Sequence, residues 1–293
     1  MRILFIGTVQ FSRSAVERLV SLGADIVGVC TQPAAGINAD FADLSGFCRG
    51  KGIPCHLTGD VNAPESVEWI GALKPDIIFC FGWSRLLKTR LLGLAPRGVV
   101  GFHPSALPEN RGRHPLIWAL ALGLERTASS FFFMNEGADT GDIISQTTID
   151  IDPEDDAGTL YRKMTETALD QLEALLPQLE NGTAVRQPQD LSRANTWRKR
   201  AEPDGKIDWR MSAKAIHNLV RALAKPYVGA HFTLRGQRII AWKSRILPGG
   251  RQNIEPGKVL QAEGGALAIK CGEGQILLLQ TEPEIVLSAG EYL

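Results

Sequence analysis

Apolar positions along this chain come in short blocks whose spacing switches between strand-like and helix-like. Arg2 to Gly7 is an apolar run closed by Gly-Thr, and Val16, Leu19 and Val20 follow at helical spacing. After Gly23 a second apolar run covers Ile26 to Cys30. Such alternation predicts parallel strands whose two faces are covered by helices. It continues with a helix over Asp40–Lys51, a short strand over 53–56, a helix over Pro64–Leu73 and a buried strand over Ile77–Phe81. A short helix over Leu86–Leu92 then precedes a strand over Gly98–Phe102. Crossovers of this length are expected to be right-handed.

Beyond Phe102 the pattern changes. A Pro- and Gly-rich loop runs to Pro115, a helix reaches about Leu122, and strands are predicted over Thr127–Met134 and Asp142–Asp150. Gly158–Glu180 reads as one long helix, with Leu160, Met164, Ala168, Leu172, Leu175 and Leu176 on a single face. Residues 186–204 are polar and read as a linker. Ser212–Ala224 is a short amphipathic helix, and Gly-punctuated strands follow over 229–234, 238–246, 257–262, 266–271 and 275–281. That spacing suggests a small barrel or sandwich. The expectation is an α/β protein in two domains: a Rossmann-like, mostly parallel sheet over 1–185, and an OB-like, β-barrel-like domain over 205–293.

Composition narrows the classes. With 32 Lys and Arg against 32 Asp and Glu, no global field draws in nucleic acid or an acidic membrane. No apolar run is long enough to span a bilayer, and the opening MRILFIG reads as a buried strand, not a signal peptide. Cys30, Cys48, Cys55, Cys80 and Cys271 are scattered without CxxC spacing, so reduced thiols in the cytoplasm are expected, with no zinc site.

The richest stretch is GFHPSALPENRGRHPLIW, from Gly101, together with the GADTGD turn at 137–142. His103 ends a predicted parallel strand, where open α/β sheets place their crevices, and Asp139 lies 36 residues later. An imidazole there can polarise a carbonyl while a carboxylate orients it; equally, Asp139 could be a turn residue bonding its own backbone. His56, His114, His217 and His231 have no comparable setting and read as structural or exposed. GTVQFS, after the first strand, lacks GxGxxG, and GxxxxGK[ST] is absent, which disfavours a dinucleotide or a phosphate-loop nucleotide.

This segment resembles the catalytic core of formyltransferases that use 10-formyltetrahydrofolate. The resemblance is carried by His103, Ser105, Leu107-Pro108, Arg111-Gly112 and Asp139-Thr140-Gly141-Asp142. MRILFIGT and, near the second domain, RKRAEPDGKIDW with IHNLVRAL extend it over most of the chain. It implies that His103 and Asp139 are the catalytic residues. It further implies that 10-formyltetrahydrofolate is the co-substrate, held against Trp83, Arg85, Leu86 and Leu87 and against Glu136, Gly137 and Ala138. For Leu86 and Leu87, plain helix core is an equal alternative. One position departs from the family pattern: Gly101 stands where a catalytic asparagine is expected. Another donor, a water in the vacated space or the Asn110 side chain could replace it; a slow enzyme or a non-catalytic folate binder are the other readings.

For the acceptor, TQPAAGINADFADL carries no Lys or Arg, where the family's tRNA enzymes have a basic loop. Residues 201–293 hold twelve Lys and Arg against nine Asp and Glu, too small a surplus for a nucleic-acid footprint. PENRGRHPLIWAL resembles instead the loop of enzymes that formylate amino sugars on nucleotides, with Ser105 and Arg113 as substrate contacts. Arg113 would pair with a pyrophosphate, or else form an ordinary ion pair. The expected reaction is N-formylation of a nucleotide-linked amino sugar for a surface polysaccharide, with methionyl-tRNA as the alternative acceptor. The second domain is expected either to dimerise or to complete the substrate site.

Overall fold

A computed structural model describes residues 1–34, 40–250 and 252–293. The order of elements is β1 (Arg2–Ile6), α1 (Gln10–Ser21), β2 (Asp25–Thr31), α2 (Ser45–Lys51), β3 (Cys55–Leu57), α3 (Pro64–Ala72), β4 (Ile77–Cys80), α4 (Thr89–Leu92) and β5 (Val99–His103). There follow β6 (Arg111–Gly112), α5 (Pro115–Ala121), β7 (Arg126–Phe133), β8 (Ile143–Asp150), α6 (Ala157–Asn181), β9 (Thr196–Trp197) and α7 (Ala213–Ala222). The chain ends with β10 (Ala230–Leu234), β11 (Gln237–Leu247), β12 (Val259–Glu263), β13 (Ala266–Lys270) and β14 (Gln275–Glu282).

The described chain forms two compact units. The first gathers residues 1–112, 127–149 and 162–197, and the second gathers 113–126, 150–161 and 198–293. In the first, seven strands pair in the order β3-β2-β1-β4-β5-β7-β8. The strands from β3 to β5 run parallel, and β7 is antiparallel to β5, with Gly101 opposite Phe132 and His103 opposite Ser130. The order reverses between β1 and β4, so a crevice opens at the carboxyl ends of these strands. Phe5, Phe79, Phe81, Phe131 and Phe132 are all fully buried, as continuous apolar strands require when both faces are covered. The mostly parallel α/β sheet matches the sequence-based expectation.

In the second unit five strands form an antiparallel sheet in the order β10-β11-β14-β13-β12, with β10 and β12 at its edges. α7 opens on Ser212, whose hydroxyl accepts the Ala215 amide at 3.1 Å, and buries Ile216, Leu219 and Val220. No helix among the described residues is long and apolar enough to cross a membrane.

Two segments differ from expectation. α2 begins at Ser45 and not at Asp40, because Asp43 turns its carboxylate onto the Ser45 amide at 2.8 Å and takes the chain out of the helix. The polar stretch read as a linker is in part a strap. Residues up to Trp197 belong to the first unit, where β9 pairs in parallel with β6. Side-chain and backbone hydrogen bonds hold it, and these leave no apolar periodicity in the sequence.

Candidate functional site

His103 closes β5 and is 5 % exposed. Its Nε2 lies 2.9 Å from the Asn110 carbonyl. A carbonyl only accepts, so Nε2 carries a proton and donates it, which leaves Nδ1 to face the second partner. That partner is Asp139, whose Oδ2 is 3.6 Å from Nδ1. The gap exceeds a direct hydrogen bond, and a proton placed on Nδ1 makes the contact attractive. Asp139 Oδ2 also accepts the Gly112 amide at 3.0 Å. The sequence-predicted pair is therefore brought together, one side chain on a strand end and the other on a turn.

The two loops have strict backbone demands. Asp139 is left-handed, with φ 56°, a region Asp tolerates better than most residues. Gly141 sits so close to the chain that an added Cβ would lie 1.7 Å from the Phe133 carbonyl oxygen, and at Gly112 it would lie 2.3 Å from that of Trp197. Gly141 and Gly112 thus serve close backbone approach. Asn135, just before the turn, accepts the Gly137 amide at 3.0 Å and the Thr140 hydroxyl at 2.6 Å.

Gly101 has no vacated space beside it. An added Cβ would lie 2.8 Å from Met134 Cγ, 2.9 Å from Phe132 Cζ and 3.1 Å from Met134 Sδ. Met134 packs with Leu107, Phe132 and Ile143. Apolar side chains thus stand where a side chain at position 101 would begin. Asn110 remains beside the site through its carbonyl, and its own amide N–H donates to Asn195 Oδ1 at 2.7 Å.

Ser105, expected at the substrate, is turned into its own loop. It is 0 % exposed, its hydroxyl donates to the Glu109 carbonyl at 3.1 Å, and its carbonyl accepts from Ser130 Oγ at 2.6 Å. Both groups shape the loop after His103. Arg113 is half-buried in the second unit and engages neighbours of its own.

Of the two stretches expected to hold folate, the second is tied through Glu136 Oε1, which accepts the hydroxyl of Thr89, two residues beyond Leu87, at 2.5 Å. Glu136, Gly137 and Ala138 form an exposed turn. Leu87 is 2 % exposed and sits in the core cluster of β1 and β4, whereas Leu86 is 55 % exposed and Arg85 is exposed. Side-chain contact with a ligand is thus closed to Leu87. The backbone amides of Arg85, Leu86 and Leu87 donate to no described residue. Trp83 packs against the same cluster, and its indole N–H is buried without an acceptor among the described residues. Unused donors in one segment fit a flat heterocycle rich in acceptors.

At the first βα turn the Ser12 hydroxyl accepts the Thr8 and Val9 amides at 3.1 Å each and donates to the Phe81 carbonyl at 2.6 Å. Those amides are consequently not presented to a phosphate. The other histidines are held elsewhere: His56 on Ser66, His217 on Ser244, His231 on Glu202, and His114 accepting the Arg200 amide. Among the described residues no group of His, Cys, Asp or Glu is placed to hold a metal ion.

The sequence reading missed Arg111 as a buried ion, and Gln189 and Asn195 altogether. Arg111 is 7 % exposed and donates to Gln189 Oε1 through Nε at 3.2 Å and Nη2 at 2.6 Å. No local signal marks these two strap residues, which lie far from the motif in a polar run.

Comparison with known proteins gives two family matches: "Formyl transferase" over residues 1–176, and "Formyl transferase, C-terminal domain" over residues 200–292. Among solved structures, HypX from Aquifex aeolicus in complex with tetrahydrofolic acid superposes with a TM-score of 0.69 at 19% identity, over 96% of this chain and 44% of HypX. The chain thus spans less than half the length of that relative. An N-formyltransferase from Helicobacter canadensis, in complex with folinic acid and dTDP-3-aminofucose, gives 0.73 at 18% identity over 95% and 98% of the two chains. Methionyl-tRNA formyltransferase from Clostridium thermocellum gives 0.63 at 18% identity over 85% and 95%.

Proposed function

Because this chain belongs to the formyl transferase family over both its N- and C-terminal parts, we propose that it moves a formyl group from 10-formyltetrahydrofolate to the amine of a nucleotide-linked amino sugar. The observation that carries the reading is the His103–Asp139 pair, with Nδ1 and Oδ2 3.6 Å apart at the carboxyl end of β5.

The co-substrate brings a carbonyl carbon bound to a nitrogen that can leave. Arg85, Leu86 and Leu87 would hold the heterocycle through their backbone amides, with the Glu136–Ala138 turn beside them. His103 is the electrophilic group. With Nε2–H committed to the Asn110 carbonyl, Nδ1 donates to the carbonyl oxygen only when it carries a second proton, so the form that stabilises the charge building there is an imidazolium paired with the Asp139 carboxylate. Asp139 orients that imidazole and accepts the proton that the attacking amine sheds when its lone pair forms the new C–N bond. The same proton then leaves on the departing nitrogen as the old C–N bond breaks. No covalent enzyme intermediate is needed.

Support for a small acceptor comes from charge. The chain is neutral overall, and the described part of the loop after β2 carries Asp40 and Asp43 but no Lys or Arg. The remainder of that loop, 35–39, lies outside the described residues. Arg113 is the contact proposed for the diphosphate. One observation favours a second, non-catalytic reading: Met134 and Phe132 press on Gly101 where the family amide is expected.

The test is formyl transfer from 10-formyltetrahydrofolate to a panel of amino-sugar nucleotides, with charged initiator tRNA alongside, read by mass spectrometry. Addition of one CO to a sugar supports the proposal. Addition to the tRNA alone replaces the acceptor. Folate binding with no transfer to any amine supports the non-catalytic reading.

A further inference from the structure

We propose that Gln189 is a positioning residue for the His103–Asp139 pair, a role that rests on the formyl-transfer reading above. Its side-chain amide uses both ends. Oε1 accepts two hydrogen bonds from the Arg111 guanidinium, at 3.2 and 2.6 Å, and Nε2 donates to the carbonyls of Asp139 at 2.9 Å and Gly141 at 2.7 Å. A primary amide is suited to this place because it accepts at one end and donates twice at the other.

The consequence falls on the direction of the Asp139 carboxylate. Asp139 sits in the left-handed region, which costs a non-glycine residue conformational energy and persists only where the surroundings hold it. Gln189 grips the carbonyl of that same residue and of Gly141 two positions on, so the turn cannot rotate freely about Asp139. The other end of the amide ties it to Arg111, and the next residue, Gly112, donates its amide to Asp139 Oδ2. The circuit from Arg111 through Gln189 to Asp139 and back through Gly112 is closed.

The imidazole is held by the same strap. Asn195 Oδ1 accepts the Asn110 amide at 2.7 Å, its carbonyl accepts the Arg111 amide at 3.1 Å, and the Asn110 carbonyl is the acceptor of His103 Nε2. Both members of the pair are thus oriented by one polar segment, residues 189–195, distant in sequence from both. A misplacement of about 1 Å at a reacting group costs on the order of 100-fold in rate, which sets the scale of the effect.

Gln189→Glu tests this without orphaning Arg111. The carboxylate still accepts from the guanidinium, but it has no N–H for the carbonyls of Asp139 and Gly141. The expected result is a folded protein with kcat down by roughly 10–100-fold and KM for both substrates within about twofold. Hydrogen exchange at the Gly112 amide, measured by NMR, is expected to accelerate as its carboxylate acceptor drifts. Wild-type kcat together with unchanged Gly112 protection overturns the proposal. If wild-type protein transfers formyl to no amine, the formyl-transfer reading fails. The exchange arm still decides whether Gln189 holds Asp139. Gln189→Ala serves as the comparison that removes the Arg111 acceptor as well, and it is expected to lose stability where Gln189→Glu does not.

Discussion

Restoring the family asparagine at position 101 should fail on its own, and the reason is volume. Gly101 and His103 point to the same face of β5, as alternate strand residues do. On that face the Gly101 Cα is covered by Met134 and by Phe132, its cross-strand partner. The nearest approaches to an added Cβ, 2.8 and 2.9 Å, are closer than side-chain carbons tolerate, and three more heavy atoms would follow. Phe132 is fully buried, so Met134, only partly buried, must move. Forced overpacking of this kind costs about 1–3 kcal/mol. Gly101→Asn is expected to lose that much stability by urea denaturation and to gain no turnover. Met134→Ala alone leaves a cavity and costs about 2 kcal/mol, toward the low end for a methionine because this one is only partly buried. In the double variant the asparagine enters the space the thioether vacated, so the two costs should fall short of their sum by about 1 kcal/mol or more. Additivity within about 0.5 kcal/mol would refute the packing argument. The double variant also reads the chemistry, since one oxyanion donor is worth roughly 100–1000-fold in rate. A rise of that order means nothing had replaced the amide, and an unchanged rate means another donor already serves.

His103→Ala should lower kcat by at least about 100-fold, since both acid–base and oxyanion roles go with it, while far-ultraviolet dichroism stays native; residual turnover above a tenth of wild type would contradict the mechanism. Burial holds the His217 and His114 imidazoles below their ordinary 6.5, with nearby arginines adding to it. The unfolded chain then binds protons before the folded one, so this stability is complete above pH 6.5 and lost as pH falls below it toward the folded-state values. Urea midpoints at about pH 7.5 and about pH 5.5 should differ in that direction, with His217→Gln narrowing the gap; equal midpoints would contradict it. Among the thiols, Cys55 lies below its ordinary range because Cys48 hydrogen-bonds to it, whereas burial pushes Cys80 up to about 12. A thiol reagent should therefore label Cys55 first in native protein, and Cys80 only after unfolding; peptide mapping with Cys80 labelled early would show the reverse.

The elements that the sequence announces most clearly are those whose burial is periodic. β1, β2, β4 and β5 stand within a residue or two of the predicted runs because an apolar block between turn residues has one stable outcome in a two-faced sheet. α6 is read from a single stripe, Leu160 to Leu176, and all six stripe residues are buried. The proposed reacting pair was less legible: spacing alone left Asp139 readable as a turn residue bonding its own backbone, and only the family resemblance singled it out with His103. Ser105 marks the limit of a motif, because the same residue can face a ligand or its own loop, and only three-dimensional packing shows the hydroxyl turned onto Glu109.

The alternation of strand and helix and the α/β class are written in the chain itself. These depend on neighbours a few residues apart, and local spacing encodes them. Which groups surround the His103–Asp139 pair was decided by tertiary structure. Met134 covers Gly101 because β7 runs antiparallel to β5 in one particular register, and Gln189 reaches Asp139 because a polar strap folds back over 50 residues of chain. Hydrogen bonds between distant backbone carbonyls and a side-chain amide leave no period in a sequence. They exist only once the sheet has brought their donors and acceptors within reach.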